Sequence, residues 1–372
     1  MASHTHTGLF RPYRLLVLAA ILALGAMPGA ALAAQGPTRD MADMSISEEE
    51  HLENFLALRR RMAARYILER QEALPTLSAD YHAKALQIAN EARAAFAAGH
   101  IKDANAMVRH GLRRYPYSDA APILTHLAFR INAVSANFGR ARRHLIDLRE
   151  RFPEYPDITI AMQEALAVAE TAQSQGRIIN LDAATPREVI SVSDVGSLRA
   201  SNMFFYYLTR YGDRHEVAPR ATLGLARAYL IQGQSRLEKL FDARRHYEIF
   251  FDRFPHSPLV FEALCEYALS YLIAYRGDVY DLGVIITAES IIERQARHYT
   301  DEDPVNIARI EQYRALIRRW WQDRDLRVGR WYQARRHMDA AALYFREVIA
   351  RDSSSPQAQE ARRRLAVVSR DH

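Results

Sequence analysis

Four arginines stand at matching places in the chain. Arg93, Arg130 and Arg330 each lie eleven residues before an alanine (Ala104, Ala141, Ala341), and Arg93 and Arg227 each lie six before a glycine (Gly99, Gly233). A guanidinium is a planar fork of paired donors that grips carboxylates, so a row of them would suit an acidic or C-terminal peptide in a groove. The other reading of the same four is internal: arginine is abundant here, and each would pair with a glutamate on the next helix.

Other chemistries lack their residues. Glu48, Glu49, Glu50 and His51 in SEEEHLE (47–53) are adjacent, so a helix points them around its axis instead of onto one metal. They read as an acidic helix start, with Ser47 as cap and Glu50 closing a capping box. A glycosidase needs two converging carboxylates, and nothing in the spacing pairs any two. GxSxG, HExxH, a phosphate-cradling glycine loop and Cys-x-x-Cys are all missing, so an enzyme and a cofactor are not expected. Cys265, the single cysteine, sits in the apolar run FEALCEYALSYL and reads as a small buried hydrophobe, with a nucleophile as the lesser reading. Trp320, Trp321, Trp331 and Tyr332 read as a packed C-terminal core or as an exposed docking patch. The basic runs at 58–65 and 140–144 read as solvated faces, or as weakly attracted to anionic lipid or cell-wall polymer.

The arginines need helices to hold them, and the sequence supplies these in pairs. Ala92, Phe96, Gly99, Ile101, Ala104, Val108, Gly111 and Pro116 fit two short antiparallel helices crossing at the alanines. Gly99 would end the first helix in the left-handed region and Pro116 would stop the second. A second set, Phe129 to Pro153, follows 37 residues on; a third runs from Ala226 to Pro255 with a longer turn; a fourth has Met338, Ala341, Phe345 and Val348, with Pro356 beyond. A weaker pair spans 271–300, around Ala288 and Ile292. The offsets resemble tetratricopeptide repeats, which gives an all-α fold, an α-solenoid of helix-turn-helix units whose curved surface holds protein segments.

The 372 residues, 49% hydrophobic and 25% charged, are ordinary globular material. At the N-terminus, Arg11 and Arg14 precede an apolar run that closes on Ala31, Leu32 and Ala33, the pattern of a cleaved signal peptide, with an uncleaved anchor as the alternative. Cleavage there would remove two arginines and no acid, taking the net charge from +6 to +4. An exported, mildly basic chain is no nucleic-acid binder. The organisation read from the sequence is a signal peptide (1–33), a helical lead-in (34–78), N-terminal repeats (79–190) and C-terminal repeats (191–372), with 177–194 as a connector or hinge.

From about residue 200 onward a family resemblance appears. Leu326, Trp331 and Tyr332, Arg335 and Arg336, Ala340 to Ala342, and Ser353 to Pro356 give a Leu-rich helix, an aromatic pair, a basic turn, an Ala-rich helix and a Pro-ended loop. With ARAYLIQG and DARRHYEIFFDRFPHSP before them, they resemble the BamD/ComL type of outer-membrane assembly lipoprotein. The resemblance implies a periplasmic scaffold in the cell envelope that binds protein segments during β-barrel assembly, with weak peripheral contact at the outer membrane. No cysteine stands just after the apolar run, so the family's lipid anchor has no attachment point there. A general envelope scaffold for secretion or cell-wall complexes stands as the alternative reading.

Overall fold

The computed structural model describes residues 48–175, 177–179, 190–192, 195–234, 236–275, 282–298 and 304–369. The signal segment and Ser47 lie outside them, as do parts of the 177–194 connector and of the turns at 235 and 276–281. The helices are α1 (Glu48–Ala73), α2 (Ala79–Ala97), α3 (Ile101–Arg114), α4 (Ala121–Val134), α5 (Phe138–Arg151), α6 (Ile158–Gln175) and α7 (Val195–Tyr211). They continue as α8 (Val217–Gly233), α9 (Glu238–Arg253), α10 (Val260–Ala274), α11 (Gly283–His298), α12 (Pro304–Ala334), α13 (Met338–Arg351) and α14 (Pro356–Val368). From α2 to α5 and from α7 to α14 each helix packs on the next, which is the all-α, solenoid-type stack expected. The connector adds a feature the sequence reading did not contain: β1 (Arg177–Ile179) pairs antiparallel with β2 (Ile190–Val192). Strands of three residues are too short to show an alternating pattern.

The described residues divide into two compact units, one ending at Ala165 and the other beginning at Leu166, so that the division falls inside α6. In the first unit α2 buries Ala85, Ala89 and Ala92 completely, at i, i+4 and i+7. α3 answers with Ala104, Val108 and Gly111 at the same spacing. A Cβ on Gly111 would stand 2.7 Å from a Leu124 methyl, so the missing side chain is what lets α4 lie against α3. Small residues on facing stripes bring helix axes close and leave dispersion contacts without voids. The lead-in helix α1 does not precede the stack; it lies against α5, where Tyr66 packs edge-on to Phe152 at 5.5 Å. In the second unit Ala226, Leu230, Ala243, Tyr247 and Phe250 are buried, as are Ala288, Ile292, Ala341, Phe345 and Val348. The buried amide of Gln322 donates to Val348 O at 2.8 Å and Ser355 Oγ at 2.9 Å, tying α12 to the loop that leads into α14.

Three of the turns inside the helix pairs are the same structure. Gly99, Ala136 and Arg336 all have positive φ (80°, 54° and 60°). The next residue's N–H closes on the carbonyl five back in each case: His100 to Ala95 (2.9 Å), Asn137 to Asn132 (2.8 Å) and His337 to Tyr332 (3.0 Å). This is the Schellman cap, which satisfies carbonyls that a helix end leaves open. The loops between pairs also repeat. Tyr115, Phe152 and Phe254 end α3, α5 and α9 with nearly identical dihedrals, and each is followed by a proline that cannot continue the helix. Pro356 ends its loop by standing at the start of α14, where its missing N–H costs nothing.

Only glycine enters the left-handed region without penalty. Gly99→Ala should therefore destabilise the protein by about 0.5–1 kcal/mol, while Ala136→Gly and Arg336→Gly should each stabilise it by a similar amount, the left-handed penalty less the chain-entropy term. Urea unfolding midpoints of the three variants check this, and opposite signs are the required result.

Candidate binding surface

Each of the four arginines follows a buried residue on the first helix of its pair: Ala92 on α2, Phe129 on α4, Ala226 on α8 and Gly329 on α12. Burial of that residue turns the next side chain toward the rim of the packed face, and what lies there differs from one arginine to the next. Arg130 forms a two-pronged bond with Glu164 of α6, Nε at 2.9 Å and the second nitrogen at 2.6 Å. His126, one turn earlier, holds the same carboxylate at 2.9 Å and touches the Tyr155 hydroxyl at 3.2 Å. Tyr155 in turn donates to Asp157. Burial works to raise the pKa of Glu164, but the bonds from His126 and Arg130 outweigh it and hold the carboxyl below its ordinary value.

Arg227 is the most enclosed of the four. Its Nε lies 2.6 Å from Glu266, its terminal nitrogen 2.5 Å from Glu262, and the Tyr247 hydroxyl completes the Glu266 shell at 3.1 Å. Desolvation opposes the charge there, yet the two carboxylates keep the guanidinium above its ordinary pKa. Arg330 meets Glu360 of α14 at 2.6 Å, and Arg364 joins the same carboxylate at 2.7 Å. The pattern extends to arginines outside the four: Arg220 bonds Glu170, and Arg314 bonds Glu293 with both prongs.

Arg93 differs. It is exposed and, among the described residues, no hydrogen bond or ion pair engages it. The sequence explains why. Counting one repeat forward gives Glu164 from Arg130 (34 residues) and Glu262 from Arg227 (35 residues), and 30 residues lead from Arg330 to Glu360. The same count from Arg93 reaches Leu127 and Ala128, which carry no negative charge. The acids were thus readable from the repeat length, though the arginine spacing alone did not disclose them. The structure gathers Arg93 and Arg130 in one unit and Arg227 and Arg330 in the other.

The remaining candidates separate by burial. Trp320 and Trp321 belong to the core, whereas Trp331 is 48% exposed, with the Arg335 guanidinium stacked 3.7 Å above its ring. Cys265 is buried, and desolvation pushes its thiol up to about 12, so no thiolate forms near neutrality. The two basic runs are solvated only in part. Arg59 from the first enters a buried ion pair with Asp147, and Arg142 from the second lies over the Phe55 ring at 4.7 Å, both between α1 and α5. Among the described residues no cluster of three or more His, Cys, Asp or Glu side chains is placed to hold a metal, and no helix is long and apolar enough to cross a membrane. Comparison of the sequence with protein-family models and with curated proteins finds no match.

Removing one member of a buried pair leaves the other charge desolvated, so Arg227→Met should cost about 3 kcal/mol, while Arg93→Met should stay within about 0.5 kcal/mol. Chemical unfolding of the two variants measures the difference. Glu164, with its pKa lowered on folding, contributes stability above its unfolded value of 4.5 that is lost as pH falls through the folded value. Glu164→Gln should accordingly lose less stability than the wild type between about pH 6 and about pH 3.

Proposed function

We propose that this protein is a periplasmic helical-repeat scaffold that binds protein segments during assembly of outer-membrane β-barrels, and that it performs no catalysis. The observation that carries the reading is the solenoid-type stack itself, together with the residues of the BamD/ComL resemblance as they lie in it. Leu326 and Ala341 are buried, Arg335 and Arg336 form the left-handed turn, and Trp331 stands exposed beside them. Stacked helix pairs leave long faces free of their own loops, which suits extended segments of other chains. The apolar run at the N-terminus supports export to the periplasm.

Arg93 is the arginine best placed to meet a partner's carboxylate, because no carboxylate among the described residues pairs with it. Arg130, Arg227 and Arg330 serve such a partner only at the expense of bonds already made.

In a crosslinking pulldown from envelope fractions, wild-type protein should recover the central β-barrel assembly protein, and Arg93→Glu should recover at least threefold less with its helical circular dichroism unchanged. Recovery of secretion or cell-wall proteins alone would overturn the assembly reading in favour of a general envelope scaffold.

A further inference from the structure

In the first unit a cleft of about 440 Å³ opens where the C-terminal end of α1, the start of α4 and the loop after α5 come together. That volume falls among small-molecule sites, which run from roughly 300 to 1,000 Å³. Ile67, Leu74, Ile123 and Phe152 give it an apolar lining. Arg70 and Arg151 line the same cleft, and both guanidiniums act on the hydroxyl of Tyr66, which places them near each other.

Neither guanidinium is well matched within the fold. Arg70 reaches the Tyr117 carbonyl only at 3.5 Å and Asp119 only at 3.4 Å, and His82 holds the Asp119 carboxylate closer, at 2.9 Å. Arg151 reaches Asp147 only at 3.8 Å, because Asp147 is bound to Arg59. The Arg151 Nε, the nitrogen that faces Asp147, is buried and makes no hydrogen bond. A guanidinium held by no close acceptor is costly to bury, so an anion that reached Arg151 from the cleft would be stabilised.

We propose that the cleft binds the carboxylate of a hydrocarbon chain, with the head group on Arg151 and Arg70 and the chain against Ile67, Leu74, Ile123 and Phe152. Three observations select this class. Pro122, Pro153 and Pro156 form part of the wall and have no N–H to offer a peptide backbone, which disfavours a peptide and suits methylene groups. Asp119 and Glu154 also line the cleft and reduce its positive field, which suits one negative charge better than a phosphate dianion. The planar fork of arginine matches a carboxylate in shape.

The test is calorimetric titration of the purified full chain with decanoate below its micelle concentration, beside decanol, acetate and decyl phosphate. Decanoate should bind one per chain, and decanol, acetate and decyl phosphate should bind at least tenfold more weakly. Arg151→Gln should weaken decanoate at least tenfold, and Leu74→Trp, which fills the cleft, should abolish binding with the helical spectrum unchanged. Absence of decanoate binding, equal or tighter binding of decanol or decyl phosphate, or undiminished binding to folded Leu74→Trp would overturn the proposal. Should Arg151→Gln fail to fold, Leu74→Trp decides it alone.

Discussion

A helix pair of this kind cannot close its own core. α2 and α3 bring their small-residue stripes together, yet Gly111 and Val108 still face outward until Leu124 and Leu127 of α4 cover them. Burial of apolar surface is the largest favourable contribution to folding, so no pair is stable by itself and each becomes stable through the next. The other features follow from that requirement. The turns must deliver the second helix at a fixed angle, the loops must return the chain to the start of the next pair, and the exposed rim must be held in register by something other than apolar contact.

The arginine–glutamate pairs provide that register. Arg130 with Glu164, Arg227 with Glu262 and Glu266, and Arg330 with Glu360 each join the first helix of one pair to the helix that opens the following element. Apolar faces are tolerant of small slips, because dispersion has little directional preference. A two-pronged guanidinium bond is not tolerant, since its geometry is lost with a shift of an ångström or so. Fold and candidate surface are thereby coupled: residues that look from the sequence like a binding row also hold the stack together, and only Arg93 stands apart.

Much of the fold was legible because the repeat writes it several times. Gly99 announced a left-handed turn, and its offset pointed to Ala136, where the side chain hides the same backbone conformation. Pro116, Pro153 and Pro255 marked loops that share dihedral angles. What was not legible is what the repeat does not encode. Nothing local tells α1 to pack on α5, because Arg59 and Asp147 are 88 residues apart. Nor did the spacing of Trp320, Trp321 and Trp331 separate core from surface: the first two share one buried side of α12, and the third lies beyond it near the turn. The arginine row was legible as a spacing, and of its two readings the internal pairing with glutamates is the one seen at Arg130, Arg227 and Arg330, since a cation's availability depends on where the anions fall.

The placement of α1 has a consequence in time. Its residues are made before those of α2 to α5, but the surface that receives them, around Arg142, Asp147 and Phe152, comes later by almost the length of two helix pairs. Until then Leu56, Ala63 and Tyr66, all buried in the finished molecule, have no native cover. Contacts between residues distant along the chain form slowly, because a long loop must close before they are rewarded. The local helix pairs can form on their own schedule, while α1, though made before them, is among the last to find its place.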